Sequence, residues 1–248
     1  MKTFLIFWLI CLVGFSQTTE SFKQANDLYN SGYYKEAIDG YDSILKSNQH
    51  SAELYFNLAN SYYKLNEIGP SIFYYEKALQ LSPDDSDILN NLGYAQKMTI
   101  DAIQEVPESG VSKLLNKTLN SLSVDGWAVR SVGLVFLFVF LFLGYYLSQS
   151  EGKKRLFFVA SSLVLILLFM SLGLLFKKDN LDSSTQPAIV YAKETEVRAE
   201  PNLRSETSFT LHEGTKVLVI EDYNGDWLKI KLLNGETGWM LSSELKAL

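Results

Sequence analysis

Histidine and cysteine, the residues that carry most nucleophilic catalysis and transition-metal binding, are scarce in this sequence. The chain has two histidines, His50 and His212, and one cysteine, Cys11, which lies in an apolar N-terminal run. A Ser-His-Asp or Cys-His set needs its members in one folded unit, and neither histidine has a second metal ligand at a usable spacing. We therefore expect no enzyme activity, no metal site and no cofactor.

Carboxylates are plentiful, and their distribution argues against nucleic acid as a partner. The 248 residues include 28 Asp and Glu against 22 Lys and Arg, for a net charge of −6. Residues 17–126 hold 15 acidic and 8 basic residues, and residues 187–248 hold 10 and 7. Nucleic-acid binding needs clustered Lys and Arg, which both segments lack. The acidic run Asp84–Asp87 is interpreted as a turn that leads into a helix.

Residues 1–16 have the features of a secretory signal peptide. A short basic start precedes the apolar run Phe4–Phe15, and Gly14 and Ser16 are small residues at the positions that a cleavage site requires. A lipoprotein signal would need a small residue before Cys11, where the chain has isoleucine. We expect the following residues to be exported, whether the segment is cleaved or remains as an anchor.

Two later blocks without a charged residue, Val132–Leu147 and Leu156–Phe176, predict membrane-spanning helices. Neither block contains an Asp, Glu, Lys, Arg or His, so we interpret them as anchors and not as an ion path. The turn and the outer flanks carry equal numbers of basic residues, so the positive-inside rule does not decide the orientation. The signal peptide decides it and places the turn in the cytoplasm. The predicted bounds are residues 127–148 and 156–176 for the helices, 149–155 for the cytoplasmic turn and 177–187 for a polar linker.

The segment before these helices is an internal repeat with a period of about 34 residues. Shifting it by one period aligns Tyr29 with Tyr63 and Tyr41 with Tyr75. A repeat of this length with two helical patterns predicts stacked helix hairpins, in which small residues such as Ala59 let helices approach closely. The predicted array covers residues 17–106, with units at 18–51 and 52–85 and a partial unit at 86–105.

The second unit resembles the tetratricopeptide repeat, because Leu58, Ala59, Tyr62, Tyr75, Ala78 and Pro83 stand at that family's signature positions. The resemblance implies a concave surface that binds an extended peptide or a partner helix. The aromatic candidates for this surface could instead belong to the core, whereas asparagine, a middling helix former, is the better functional candidate. The partner-binding candidates are Phe22, Asn26, Tyr29, Phe56, Asn57, Asn60, Tyr63 and Lys64.

Residues 107–126 predict an amphipathic connecting helix. Apolar side chains recur at three- and four-residue spacing from Val111 to Leu122, and Lys113 and Lys117 flank them. Two interpretations remain open. The helix could lie on the outer leaflet of the membrane, or it could cap the exposed end of the incomplete array.

Residues 188–248 predict a small all-β domain of short alternating strands, separated by turns such as Asn224-Gly225-Asp226. The run Val197–Pro201, followed by Leu211–Gly214 and Gly238–Met240, resembles the bacterial SH3-like (SH3b) domain. Its aromatic residues are candidates for a ligand groove, although tryptophan in this fold also closes the barrel. The groove candidates are Tyr223, Trp227 and Trp239.

The whole chain is therefore predicted to be multidomain, with an all-α tetratricopeptide array, a two-helix transmembrane hairpin and an all-β SH3-like barrel. This order resembles the Bat aerotolerance proteins of the BatE type. The resemblance implies a multi-pass protein of a bacterial inner membrane with both folded modules in the periplasm. It also implies a scaffold role with other Bat proteins that carry von Willebrand A domains and, indirectly, a MoxR-type ATPase. The alternative is a sensor or anchor whose SH3-like domain binds peptidoglycan.

Overall fold

The computed structural model describes residues 20–103 and 110–248. The predicted signal peptide, with Cys11, and the end of the predicted array at residues 104–106 lie outside the described residues. Two compact units are present. The first combines residues 20–103 with residues 186–248, and the second comprises residues 110–185.

The N-terminal part of the first unit is a helical array with the predicted repeat. Helix α4 begins one repeat period after α2, and α5 begins one period after α3. In the described residues the third repeat contains α5 as its one helix. The helices are α1 (20–30), α2 (Tyr34–Lys46), α3 (Ala52–Lys64), α4 (Ile68–Leu81) and α5 (Ser86–Gln96).

Side chains at the inter-repeat turns set where the helices begin. The Ser51 hydroxyl accepts a hydrogen bond from Leu54 N at 3.1 Å, which caps α3. The Asp85 carboxylate caps α5 by accepting from Asp87 N at 2.9 Å and from Ile88 N at 3.2 Å. The run Asp84–Asp87 is therefore a turn and helix start, as predicted.

Small side chains allow the helices to pack closely. Ala37 and Ala59 are fully buried, and a Cβ atom added to Gly40 would lie 3.0 Å from the Ala25 Cβ atom. Tyr41 and Tyr75, which occupy equivalent positions of successive repeats, fill the space between the layers and are also buried. Residues one repeat period apart in the sequence thus occupy equivalent positions in the core.

The C-terminal part of the first unit is a seven-stranded antiparallel sheet, which confirms the predicted all-β domain. Its strand order is β3-β2-β6-β5-β4-β1-β7, and its core includes Val197, Ile230 and Met240. Gly238 allows β6 to approach β2, because a Cβ atom there would lie 2.5 Å from the Val197 Cγ1 atom. The strands are β1 (Gln186–Val190), β2 (Glu194–Arg198), β3 (Thr207–His212), β4 (Lys216–Tyr223), β5 (Trp227–Lys231), β6 (Thr237–Leu241) and β7 (Leu245–Ala247).

The second unit contains three helices, α6 (Gly110–Leu119), α7 (Val124–Leu147) and α8 (Glu151–Ser184). Helices α7 and α8 form an antiparallel hairpin. The Ser131 and Ser171 hydroxyl oxygens lie 2.9 Å apart near one end, and Gly144 faces the Phe157 ring near the other. Both helices are long and apolar enough to cross a membrane.

The hairpin differs from the predicted segment bounds in two places. Helix α8 begins at Glu151, so the predicted turn at 149–155 shortens to the three residues between the helices. The helix also continues to Ser184, so most of the predicted linker at 177–187 is helical. Glycine and proline are absent from residues 174–186, and Lys178 pairs with Asp182 at 3.1 Å across one helical turn.

Candidate functional site

A ladder of asparagine and tyrosine side chains runs along the array. The Asn26 Oδ1 atom accepts hydrogen bonds from the Tyr41 hydroxyl at 2.7 Å and from Asn57 Nδ2 at 3.0 Å. One repeat period later, Asn60 Oδ1 accepts from the Tyr75 hydroxyl and from Asn91 Nδ2 at 3.0 Å. Each rung joins two helices of one repeat to the first helix of the next.

The ladder fixes the orientation of buried tyrosines. Tyr41 and Tyr75 are at most 1% exposed, and burial raises the pKa of both hydroxyl groups. The Oδ1 atoms of Asn26 and Asn60 each accept two internal hydrogen bonds and are not available to a ligand. In the part of the chain that the structure describes, Asn60 Nδ2 and Asn91 Oδ1 keep no internal partner and remain available to a ligand.

The second rung lies in a groove of about 210 Å³. Four of its seven lining residues are tyrosines, and Lys64 is the one charged residue among the seven. Tyr94 is 59% exposed, so this ring is accessible to solvent. We call this surface the tyrosine groove; its residues are Tyr29, Asn60, Tyr63, Lys64, Tyr75, Asn91 and Tyr94.

Four of the eight predicted partner-binding residues line the tyrosine groove, and four do not. Those in the groove are Tyr29, Asn60, Tyr63 and Lys64. Phe22 packs on Tyr41 and Phe56 packs on Tyr75, each at 6.0 Å between ring centroids, whereas Asn26 and Asn57 form the first rung. Sequence reasoning missed Tyr75, Asn91 and Tyr94. The signal for them was the repeat itself, since they follow Tyr41, Asn57 and Asn60 by one period.

A second aromatic cluster joins the array to the sheet. The Lys246 ammonium of β7 lies 4.6 Å from the Phe73 ring centroid, 5.4 Å from that of Tyr74 and 5.3 Å from that of Tyr191. Phe73 and Tyr191 also meet edge to face at 5.6 Å. Burial lowers the pKa of Lys246. This arrangement holds a cation against aromatic faces of both modules.

Asp101, which follows α5, binds the turn between β3 and β4. Its carboxylate accepts hydrogen bonds from His212 N at 2.7 Å and Thr215 Oγ1 at 2.6 Å, and it lies 2.8 Å from His212 Nδ1. Burial alone would raise the pKa of Asp101. The hydrogen bonds from Thr215 and His212 outweigh that effect, so the pKa lies below its usual value.

Helix α4 packs directly against the same turn. Lys216 Nζ lies 2.8 Å from Glu76 Oε2. Gly214, at φ +85°, lies so close to the array that a Cβ atom would lie 2.9 Å from Ile72 Cδ1 of α4 and 2.9 Å from Cγ2 of Thr99, which follows α5. We call this whole contact the module interface. Its residues are Gly69, Ile72, Phe73, Tyr74, Glu76, Thr99 and Asp101 of the array and Tyr191, His212, Glu213, Gly214, Thr215, Lys216 and Lys246 of the C-terminal domain.

In the sequence the array and the C-terminal domain have the patterns of separate modules, and the module interface is not predicted. The partners are far apart in the chain, as Asp101 and His212 illustrate, and no local pattern connects them. His50 and His212 remain separate, and His212 serves the module interface. Within the described ranges, no group of three or more metal-ligating side chains is assembled.

The predicted aromatic groove of the C-terminal domain is mostly interior. Trp227 is 9% exposed and Trp239 8% exposed, whereas Tyr223 is 48% exposed. The Tyr223 and Trp239 rings meet edge to face at 6.1 Å between centroids. Lys229 Nζ lies 5.5 Å from the Trp239 centroid. Tyr223 and Lys229 are therefore the accessible members of this small surface.

Comparison with known families identifies both folded modules. Residues 52–85 and 74–104 match two models of the tetratricopeptide repeat, and residues 193–246 match the bacterial SH3 domain. Over 52 residues the chain is 38% identical to the cell wall-binding protein YwsB of Bacillus subtilis (strain 168). That match covers 21% of this chain and 29% of the relative, so the chain spans less than a third of the relative's length. The chain thus contains tetratricopeptide repeats and a bacterial SH3 domain, which are non-catalytic interaction modules.

Proposed function

We propose that this protein is a membrane-anchored scaffold whose tyrosine groove binds an extended segment of a partner protein. The observation that carries the proposal is the second rung of the ladder, where Asn60 Nδ2 can donate and Asn91 Oδ1 can accept. A peptide unit offers one acceptor and one donor, which is the complementary pattern. The surrounding tyrosine side chains are rigid, so their contact with a ligand costs little conformational entropy.

The module interface supports a location of both folded modules on one side of the membrane. Residues 20–103 and 186–248 pack together, although two apolar helices separate them in sequence. Two membrane crossings return the chain to its starting side, which is compatible with this packing. The bacterial SH3 domain favours an extracellular or periplasmic location. We therefore assign both modules to the periplasm and the turn between α7 and α8 to the cytoplasm.

The order of modules supports membership of a Bat-type aerotolerance complex. In that complex the partners would be other Bat proteins with von Willebrand A domains, with a MoxR-type ATPase as an indirect partner. The groove would then hold a segment of such a partner. The scaffold would contribute to resistance of the cell envelope to oxidative stress.

Site-specific photo-crosslinking in cells tests the scaffold. Tyr94 is replaced by p-benzoylphenylalanine in the full-length protein, and Tyr33 is replaced in a matched control. The two positions are 59% and 57% exposed, but only Tyr94 lines the groove. We expect a crosslink to a von Willebrand A protein from position 94 and none from position 33. Equal crosslinking from both positions, or none from position 94, contradicts the proposal.

Reporter fusions test the location. A reporter fused after Leu248 should behave as exported, and one inserted after Gln149, in the turn between α7 and α8, should behave as cytoplasmic. The same behaviour at both positions contradicts the two crossings. This result would leave the groove untouched, because the groove lies within the first unit.

Cell-wall binding is a second candidate, favoured by the similarity to YwsB and by the exposed Tyr223 ring. Peptidoglycan sedimentation of the full-length protein in detergent tests it. Tyr223→Ala should reduce sedimentation, whereas Leu203→Ala, at a residue 69% exposed, should not. Because the domain is acidic, binding through stacking and hydrogen bonds should persist at moderate salt. Absence of sedimentation by the unsubstituted protein eliminates this candidate.

A further inference from the structure

Helix α6 exposes an apolar face that the proposed scaffold function does not use. Val111 is 81% exposed, Leu114 68% and Leu115 40%. These side chains share one face of the helix, whereas Lys113 and Lys117 lie on the opposite face. This short helix thus separates apolar from basic side chains completely.

The C-terminal end of α6 is held by both long helices of the second unit. The Trp127 indole of α7 donates a hydrogen bond to the Leu119 carbonyl at 3.1 Å, and both residues are at most 2% exposed. Lys178 of α8 donates to Asn120 Oδ1 at 3.1 Å. Helix α6 is therefore attached at the end of the hairpin where α7 begins.

These anchor points mark the edge of the hairpin's apolar surface. Lys178 follows closely on the uncharged run of α8 that ends at Phe176. On α7, the exposed apolar surface begins at Val129, just after Trp127, and continues through Val132 and Phe136. The attachment of α6 thus lies at the level where the hairpin changes from apolar to polar.

We propose that α6 lies in the plane of the outer membrane–water interface, with Val111, Leu114 and Leu115 in contact with lipid acyl chains. Lys113 and Lys117 then face the headgroups and water, where anionic lipid attracts them. The lipid surface is favoured because it is continuous with the surface that α7 and α8 present at the same level. This inference rests on the membrane crossing proposed above.

Depth-dependent fluorescence quenching tests the lipid contact in the full-length protein. In a Cys11→Ser background, Leu114→Cys is labelled with the fluorophore NBD, and the protein is reconstituted into vesicles of phosphatidylethanolamine and phosphatidylglycerol. A nitroxide on the lipid acyl chains is the quencher. Lys113→Cys, on the opposite face of the same helix, is the matched control, and Phe136→Cys reports on the hairpin.

We expect quenching at position 114 to exceed that at position 113 at least about twofold, with a blue-shifted emission. If position 136 is quenched but positions 113 and 114 are equally unaffected, another surface covers α6, such as the array or a second copy. That result overturns the lipid contact and leaves the membrane crossing intact. If position 136 is not quenched either, the membrane crossing fails, and the inference fails with it.

Discussion

Two pairs of adjacent tyrosines, Tyr62-Tyr63 and Tyr74-Tyr75, divide between two surfaces of the array. Tyr63 and Tyr75 line the tyrosine groove. Tyr62 and Tyr74 stack on each other at 5.6 Å between centroids, and Tyr74 also contacts Lys246 of the sheet. Neighbours on a helix point about 100° apart, so one ring of each pair lines the groove and the other joins the Tyr62–Tyr74 stack, which contacts Lys246.

The two surfaces are stabilised in different ways. The groove is held by the asparagine ladder, whose bonds recur with the repeat and stay within the array. The module interface is held by side chains of the remote C-terminal domain, such as His212 and Lys246. A surface that is rigid without a partner can remain open to a ligand, whereas the other is covered by the chain itself. Breaking each surface separately tests this difference.

The largest effect is expected at Gly214 in the module interface. Gly214→Ala places a Cβ atom 2.9 Å from side-chain atoms of Ile72 and Thr99, at a φ of +85°. Backbone strain and overpacking together should lower the free energy of unfolding by about 2 to 4 kcal/mol. Chemical denaturation in detergent, followed by hydrogen exchange of α4 amides, measures this effect.

Gly235→Ala is the matched control, because Gly235 also has a positive φ, of +90°, but no atom within 4 Å of the added Cβ. It should cost only the backbone strain, about 1 kcal/mol, and leave exchange in α4 unchanged. Equal losses for the two variants would mean that α4 and the turn are not packed as described.

A smaller effect is expected from the ladder. Asn60→Ala leaves the hydroxyl of the buried Tyr75 without its acceptor, which should cost about 1 to 3 kcal/mol. Asn90→Ala, at an exposed position of α5, should cost less than about 0.5 kcal/mol. Thermal unfolding of the two variants measures the difference. Equal melting temperatures would contradict an internal structural role for the Asn60 oxygen.

The sequence predicts the groove better than the module interface for a physical reason. The repeat period places Asn60 and Tyr63 on α3, the first helix of the second repeat. Each repeat contacts its neighbours in the same way, so equivalent positions of successive repeats have equivalent surroundings. Helical periodicity also marks Tyr62 and Tyr74 as apolar surface, but it reports only which side is covered and not what covers it. The ladder was hidden for another reason, since an exposed asparagine and one that accepts two bonds look alike in sequence.

For the hairpin, sequence composition predicts the apolar helices but not the end of α8. The uncharged runs predict α7 and α8 because length and composition decide a membrane-spanning helix. The end of α8 was predicted too early, because the polar run from Asp179 to Ser184 has the composition of a loop. It nevertheless has helical spacing for the ion pair between Lys178 and Asp182. Polarity alone therefore does not end a helix.

A still smaller loss of stability is expected from breaking the Lys216–Glu76 ion pair of the module interface. Lys216→Met removes the partner of Glu76, whose side chain is only 14% exposed, whereas the lysine side chain is 38% exposed. Because solvent screens such a pair, the expected loss is about 0.5 to 1 kcal/mol, and it should shrink in high salt. Lys23→Met breaks the Lys23–Asp27 pair, whose side chains are 68% and 62% exposed, and should have almost no effect. If Lys216→Met and Lys23→Met change stability equally, the Glu76 carboxylate is exposed to solvent and not buried in the module interface.

The smallest effect on stability is expected from the Asp101 carboxylate. It should appear in acid, where this group becomes protonated. The hydrogen bonds from Thr215 and His212 hold the pKa of this carboxyl below its ordinary value of 3.8. A carboxyl group whose pKa is lower in the folded state stabilises that state above its unfolded pKa, and the contribution is lost as the pH falls through the folded value. The advantage of the unsubstituted protein over Asp101→Asn should therefore vanish in the acid range below 3.8.

Thr215→Val gives the sharper form of this test, because it removes one donor and leaves the carboxylate in place. The pKa of Asp101 should then rise towards its ordinary value, so the acid-induced loss of stability should begin at a higher pH than in the unsubstituted protein. Thr210→Val, at an exposed position of β3, should not move this onset. Tryptophan fluorescence during acid titration in detergent measures it. If Thr215→Val and Thr210→Val unfold at the same pH, the Thr215 hydroxyl does not bind Asp101 in solution. The Asp101 carboxylate would then be held only by its two contacts with His212, through the backbone N and the Nδ1 atom, and the Thr215 hydroxyl would contribute nothing to the module interface.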